Sequence, residues 1–203
     1  ERSTNLIPII PNNPRLIWRK HNGQDQVLMV TWKGDCDSKK LSISCKQTGE
    51  KYTVSEGYPL WVTAVPEIKE FVLIQDYSVE HHQTGSNLSA WLSSRLEQYL
   101  GLRPNSNYTK FVEIWVNLKD LIRPCLDSKV QVNDPQCAKD TQHPSKDGYP
   151  FTGLGYTYDW GNPNTDIGAS EFIVKAPAIV TIHRIQSTSD YLKGLTPRLQ
   201  QQK

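Results

Sequence analysis

The side chains best suited to acid–base chemistry in this sequence are His82, Asp159 and Glu171. His82 belongs to the run Glu80–Gln83, and because histidine titrates near neutral pH it is a candidate general base. Two carboxylates beside it would supply the partners that a secreted hydrolase or transferase needs. The simpler alternatives are a solvated turn before a helix for His82 and a strand-boundary residue for Glu171.

Metal binding is a second chemistry to weigh at the histidines. His81 and His82 are adjacent, so their side chains project in different directions and need a distant third ligand to hold one ion. His143 and His183 have no better support, and no His-Glu-x-x-His motif occurs. We therefore expect neither a metal site nor a cofactor.

The aromatic stretch from Tyr149 to Trp160 is the most unusual segment of the chain. Tyr156, Tyr158 and Trp160 surround Asp159, and such flat side chains with polar tips can stack on a sugar or clasp a peptide. In an extended chain Tyr156 and Tyr158 would share one side. The alternative is a small satellite core beneath a long loop, so the pattern indicates either a binding surface or an ordered strand.

The four cysteines fall into two local pairs, Cys36 with Cys45 and Cys125 with Cys137. Four cysteines allow three connectivities, of which we expect the two local bridges. Closing loops of this length contributes roughly 2–3 kcal/mol each to stability. Zinc would need close Cys-x2-Cys or Cys/His pairs, which are absent. Four reduced, buried cysteines are the remaining alternative, and the bridges favour an oxidising compartment, periplasmic or secreted.

Bulk composition indicates a globular protein rather than a nucleic-acid partner. The 203 residues are 37% hydrophobic and 22% charged, with a formal net charge of +2 from 23 basic and 21 acidic residues. Positive charge is scattered rather than clustered, and no apolar run is long enough for a membrane span. Gly153–Tyr158 begins like a dinucleotide loop but lacks the third glycine, and no Walker or Gly-x-Ser-x-Gly motif occurs.

We expect a single domain over residues 1–203. Residues 1–12 are apolar but interrupted by prolines, which predicts an extended arm, and residues 194–203 predict a frayed, polar tail. The chain starts with Glu1 and its one methionine is Met29, as expected of a mature form from which an export signal has been removed.

The predicted elements define an α+β fold with a mainly antiparallel sheet, one long helix and a long disulfide-braced aromatic loop. The helix is Asn87–Leu100, with an apolar residue on every turn and Gly101 as its stop signal. A shorter helix is expected from Pro66 to Val72. The strands are expected at Arg15–Arg19, Val27–Trp32, Leu41–Cys45, Lys51–Val54, Tyr58–Val65, Phe111–Val116, Glu171–Val174 and Ile179–Ile185.

Glu171-Phe172-Ile173-Val174-Lys175-Ala176-Pro177 resembles the acidic-residue strand of ADP-ribosyltransferases. The resemblance implies that the Glu171 carboxylate contacts a nicotinamide ribose. That family often has a second acid two residues earlier, where this chain has Ala169, and no Ser-Thr-Ser strand is recognisable. The resemblance to ADP-ribosyltransferases covers about a dozen residues.

A broader likeness runs from about Tyr58 to Val180. Five runs are similar to an uncharacterised family of exported bacterial proteins, namely Trp61–Glu67, Arg95–Leu102, Phe111–Val116, Tyr156–Gly161 and Gly168–Val174. This resemblance implies export and a bacterial source, and no catalytic role. Two glycosylation sequons, Asn87-Leu88-Ser89 and Asn107-Tyr108-Thr109, would be used only in a eukaryotic secretory pathway.

The sequence thus favours an exported binding protein that uses the 149–160 region to hold a protein, peptide or glycan. The alternative is a secreted enzyme built on His82, Asp159 and Glu171. We expect neither nucleic acid nor a membrane span among its partners.

Overall fold

The computed structural model of the chain describes residues 6–37, 39, 42–78, 85–125, 131–134, 137 and 152–196, with only the backbone of residues 85 and 86. The strands are β1 (Trp18–His21), β2 (Gln24–Lys33), β3 (Lys51–Val54), β4 (Leu60–Ala64), β5 (Lys110–Asn117), β6 (Leu121–Ile122), β7 (Tyr156–Tyr158), β8 (Ile167–Ser170), β9 (Phe172–Val174) and β10 (Ala178–Ser187). The helices are α1 (Val65–Ser78), α2 (Gly85–Tyr99) and α3 (Thr188–Leu195).

The main sheet has the order β3-β10-β5-β2-β4-β9-β6, with β1 paired to β2, while β7 and β8 form a separate ladder. The pairings between these strands are antiparallel. The expected α+β class with a mainly antiparallel sheet is therefore confirmed. Two helices of similar length, α1 with 14 residues and α2 with 15, replace the one long helix that was predicted.

Both faces of the sheet are covered, which explains the unbroken apolar run of β2. Leu28 and Val30 point to the face on which α1, α2 and α3 pack, called here the helix face. Val27 and Met29 point to the opposite face, where Ile7 and Ile9 cover them. These two residues belong to the stretch before β1, residues 6–17, which we call the N-terminal segment. A strand buried on both sides cannot alternate apolar with polar residues.

The N-terminal segment is anchored by its backbone. Ser170 Oγ accepts a hydrogen bond from the amide of Ile7 at 2.9 Å, and Arg123 donates to the carbonyl of Ile7 at 2.6 Å. The amide of Ile9 donates to the carbonyl of Val132. Part of the predicted arm is thus built into the core. At the other end, Gly194 and Leu195 belong to α3, and residues 197–203 lie outside the described ranges.

Both expected disulfides are present. Cys36–Cys45 has a Cα–Cα distance of 4.6 Å and Cys125–Cys137 one of 5.6 Å. The strand expected at Leu41–Cys45 is wrong, because Ile43–Cys45 forms a turn of 3-10 helix. The hydroxyl groups of Ser42 and Ser44 bond each other there, and local side-chain hydrogen bonds of this kind compete with a sheet ladder.

Helix α2 follows the expected pattern, whereas the end of helix α1 differs from the expectation. The apolar stripe of α2 is as predicted, since Leu88, Leu92 and Leu96 are all buried. Helix α1 continues six residues past the predicted end at Val72. The last apolar residues of α1, Ile74 and Tyr77, are exposed, so the core-facing periodicity ends before the helix does.

Within the described ranges, every helix is too short or too polar to span a bilayer.

Candidate functional site

Asp159 is a buried member of an ion pair. Its two carboxylate oxygens accept hydrogen bonds from the guanidinium group of Arg95 at 3.2 and 3.1 Å, and Oδ1 also accepts one from the amide of Gly161. A carboxylate engaged at both oxygens in this way is held firmly in place. The contact fastens the segment after β7 to α2.

Glu171 lies in the link between β8 and β9. Burial raises the pKa of its carboxyl group to about 8, although the whole residue is only half-buried. Its amide donates to the carbonyl of Gly155. The raised pKa fits a proton carrier, but the described residues offer it no second acid or base.

Two of the three candidate catalytic residues, Asp159 and Glu171, are not brought together. The amide of Asp159 bonds the carbonyl of Asp166 at one end of the β7–β8 ladder, and Glu171 follows its other end. At the usual strand rise this separates Asp159 from Glu171 by about 10–15 Å. His82 lies outside the described residues.

Only some of the aromatic residues that were predicted to form a binding surface are exposed. Tyr156 is buried against Leu6 and Cys137, as the satellite-core alternative expects. Tyr158 is half-buried. Trp160 is partly exposed, and its indole N–H donates to the carbonyl of Leu102 at 2.9 Å. Tyr149 lies outside the described residues.

A groove runs between the N-terminal segment and α1, and we call it the α1 groove. Its volume is about 550 Å³. Its walls are largely apolar, and Ile17, Ile74 and Tyr77 expose apolar surface along it. The lining residues are Pro14, Arg15, Ile17, Pro66, Glu67, Lys69, Glu70, Leu73, Ile74 and Tyr77.

Glu67 connects the end of this groove to the core. Its Oε1 accepts a hydrogen bond from the amide of Ser170 at 2.9 Å. The hydroxyl of Thr63 lies 2.6 Å from the carbonyl of Ser170 and 3.3 Å from Oε2 of Glu67. A hydroxyl carries one proton, so once Thr63 donates to the carbonyl, a proton on Glu67 completes the second bond. Burial independently favours the protonated form, since it raises the pKa of Glu67 to about 7, although the hydrogen bonds from Ser170 act in the opposite direction.

Glu113 is a buried acid in the middle of the helix face. It is 2% exposed, with Lys69 Nζ at 3.7 Å and His183 Nε2 at 3.9 Å from its oxygens. Oε1 has no hydrogen-bond partner among the described residues. These distances exceed those of hydrogen bonds, so Lys69 is held by charge, and His183 is held in the same way only when it is protonated.

A β-bulge in β10 accounts for the position of His183. The register with β5 shifts between Ile182 and Arg184, so His183 and Arg184 together oppose Glu113. Burial lowers the pKa of His183, as do the nearby cations, while Glu113 opposes them. Bulges commonly re-aim side chains beside functional sites.

Trp115 joins this bulge to β1. The indole of Trp115 and the ring of His183 meet edge to face, with 5.4 Å between their centroids. The guanidinium carbon of Arg19 lies 4.5 Å from the indole centroid, and its Nε donates to Gln26 at 2.7 Å. We call Arg19, Lys69, His183 and Arg184 the cationic cluster.

Sequence reasoning missed both the groove and the cluster. The one available signal was a charged residue inside an apolar strand, Glu113 between Val112 and Ile114. Such a residue is expensive to bury unless partners meet it. Those partners come from distant parts of the chain, and no local pattern identifies them. No three His, Cys, Asp or Glu side chains in the described ranges are grouped to hold a metal ion.

No family model matches the sequence, and neither a curated protein nor a solved structure shows significant similarity to it.

Proposed function

We propose that this chain is an exported protein that binds a small, elongated and largely apolar molecule in the α1 groove. The observation that carries the proposal is the exposure of Ile17, Ile74 and Tyr77 along one concave surface of about 550 Å³. Small-molecule sites typically have volumes of about 300–1,000 Å³ and mostly apolar walls with a few polar groups.

Both walls are anchored in the core, which favours a preformed site. Helix α1 is anchored by Val65, Ile68 and Val72, all fully buried in the helix-face core. The opposite wall is held by Leu16, which packs in the core on the other face. A site that does not rearrange loses less conformational entropy when it binds.

The charged residues of the groove are mostly occupied. Arg15 forms an exposed ion pair with Glu70 at 3.5 Å, and Glu67 is committed to Thr63 and Ser170. Binding then depends chiefly on apolar contact. Covering an aliphatic side chain such as that of Ile74 contributes about 1–2 kcal/mol.

Export is part of the proposal, and the two disulfides support it. Structural disulfides persist in oxidising compartments such as the periplasm or the extracellular space. The aromatic segment serves as a support in this scheme. Tyr156 packs on Cys137, and Trp160 donates a hydrogen bond to Leu102, which follows α2. We infer that the segment supports α2 rather than presenting a flat binding surface.

Binding of N-phenyl-1-naphthylamine, a neutral apolar fluorophore, tests the groove. We expect the folded wild-type chain to bind it, and Ile74→Asp to weaken binding at least tenfold, because a carboxylate would enter the apolar wall. The readout is the fluorescence titration.

Ile179→Asp is the matched control. Ile179 is 55% exposed against 56% for Ile74, but it lies on β10 and does not line the groove. We expect this variant to bind like wild type. Equal loss in both variants, or no loss in Ile74→Asp, would contradict the proposal.

A further inference from the structure

We propose that the ligand of the α1 groove carries an oxyanion head group, such as a carboxylate or sulfonate, and that the cationic cluster binds it. This inference rests on the proposed function and names the chemical class of its ligand. The observation that carries it is the convergence of Arg19, Lys69, His183 and Arg184 around Trp115 and Glu113.

Arg19 is positioned before any ligand arrives. Stacking on Trp115 and the hydrogen bond from Nε to Gln26 fix the plane of its guanidinium group. Gln26 is held in turn by Asn117, to which its amide donates at 2.9 Å. The two terminal nitrogens of Arg19 have no acceptor among the described residues, and such a pair matches the two oxygens of a carboxylate.

His183 and Arg184 are delivered to the same place by the β-bulge. In a regular strand these neighbours would point to opposite faces. The bulge sets both against Glu113, and the side chain of His183 is about one-third exposed beside Trp115. Among the described residues the guanidinium group of Arg184 has no ion-pair partner.

Glu113 holds Lys69 and His183 near each other but does not neutralise the positive charge of the cluster. Lys69 and His183 approach this carboxylate only to 3.7 and 3.9 Å, so their N–H groups remain available to a second acceptor. Among the described residues, the charged groups that act on His183 are three permanent cations, Arg19, Lys69 and Arg184, and one buried acid, Glu113. The site therefore keeps an excess of positive charge.

Lys69 links the cationic cluster to the α1 groove. Lys69 lines the groove and also pairs with Glu113. Ile17 lines the groove two residues before Arg19, and its carbonyl accepts from the amide of Leu28, which extends the β1–β2 register by one residue. Ile17 and Arg19 thus share the helix face. A ligand whose apolar tail lies beside Ile17 and Ile74 would therefore place its oxyanion head group at Arg19.

A pair of fluorophores tests the head group. 8-Anilinonaphthalene-1-sulfonate has the ring system of N-phenyl-1-naphthylamine plus one sulfonate. We expect the wild-type chain at pH 6 and low salt to bind the sulfonate at least tenfold more tightly. Arg19→Gln should reduce that preference to below threefold while the affinity for the neutral probe stays unchanged.

Lys20→Gln is the matched control, because Lys20 is an exposed cation on the same strand that points to the other face. It should keep the full preference. Arg184→Gln is a second cluster variant at an exposed position, and it should lower the preference even if Arg19→Gln unfolds the chain.

Displacement of the bound sulfonate probe tests whether head and tail belong to one ligand. Decanoate should displace it at concentrations at which decanol and inorganic sulfate do not. Displacement by sulfate as effective as that by decanoate would overturn the inference, and so would equal affinity for both fluorophores. If the neutral probe binds and responds to Ile74→Asp in either case, the proposed function stands while the head-group inference fails.

Discussion

Arg95 of α2 and Asp159 of the segment after β7 form a two-point ion pair across 64 positions of sequence. Asp159, which the sequence suggested as a catalytic residue, therefore connects the segment after β7 to α2 through this ion pair. The ring of Phe71 lies beneath the guanidinium group at 5.4 Å, so α1 takes part as well.

Breaking this pair should destabilise the fold. We expect Arg95→Met to lower the free energy of unfolding by about 3–5 kcal/mol, because it leaves the buried carboxylate of Asp159 uncompensated. Urea titration measures the loss. Arg15→Met removes the exposed pair with Glu70 and should cost no more than about 1 kcal/mol. Similar losses in the two variants would contradict this account.

The N-terminal segment should behave as core. Ile7 is 1% exposed, and we expect Ile7→Ala to lower the free energy of unfolding by about 2–5 kcal/mol through lost burial and the resulting cavity. Ile10, three residues later, is 42% exposed, and Ile10→Ala should change stability by at most about 0.5 kcal/mol. Thermal or urea unfolding separates them, and a neutral Ile7→Ala would show that the segment is not part of the core.

Glu67 should make stability fall as the pH rises. Its folded-state pKa of about 7 exceeds the ordinary value of about 4.3, so the folded chain holds the proton more tightly than the unfolded chain. This contribution is complete below pH 4 and is lost progressively up to pH 7. In Glu67→Gln the amide replaces the protonated acid between Ser170 and Thr63.

We therefore expect Glu67→Gln to gain about 2 kcal/mol of stability relative to wild type between pH 5 and pH 8. Urea titrations at both pH values measure the difference. Glu70→Gln, an exposed acid on the same helix, should follow wild type. A pH-independent difference for Glu67→Gln would mean that Glu67 does not titrate in this range.

The disulfides should account for all four cysteines. Thiol titration of the denatured, unreduced chain should detect no free thiol, because both pairs are bridged. Replacing Cys125 and Cys137 by serine should lower the free energy of unfolding by about 2–3 kcal/mol. Detection of four thiols before reduction would remove both bridges and the argument for export.

Binding of the anionic fluorophore should strengthen as the pH falls. Burial and the cations Arg184, Arg19 and Lys69 lower the pKa of His183, so its charge appears only below the ordinary value of about 6.5. Protonation adds a positive charge beside the bound sulfonate, where Glu113 is the one carboxylate that acts on His183 among the described residues. We expect a several-fold rise in affinity from pH 7 to pH 5, which His183→Gln should abolish. An unchanged pH profile in that variant would exclude His183 from the site.

Local signals in the sequence predicted what depends on local geometry. Asn22 and Gly23 both adopt positive φ and close the β1–β2 hairpin, as is typical of an Asn-Gly pair between two strands. The stripe of Leu88, Leu92 and Leu96 identified α2, and short spacing identified the cysteine pairs. The α+β class followed from the same short-range evidence.

The positions of charged groups depended on contacts between distant residues. Asp159 was a candidate catalytic residue in the sequence, but the fold pairs it with Arg95. Glu67, in the first turn of α1, is buried and accepts a hydrogen bond from the distant Ser170. The bulge that aims His183 exists only because β10 pairs with β5, about 70 residues earlier in the chain. Sequence by itself determined the elements, since propensity and periodicity act over a few residues. Tertiary structure alone decided which charges meet, because burial and pairing are properties of the packed chain.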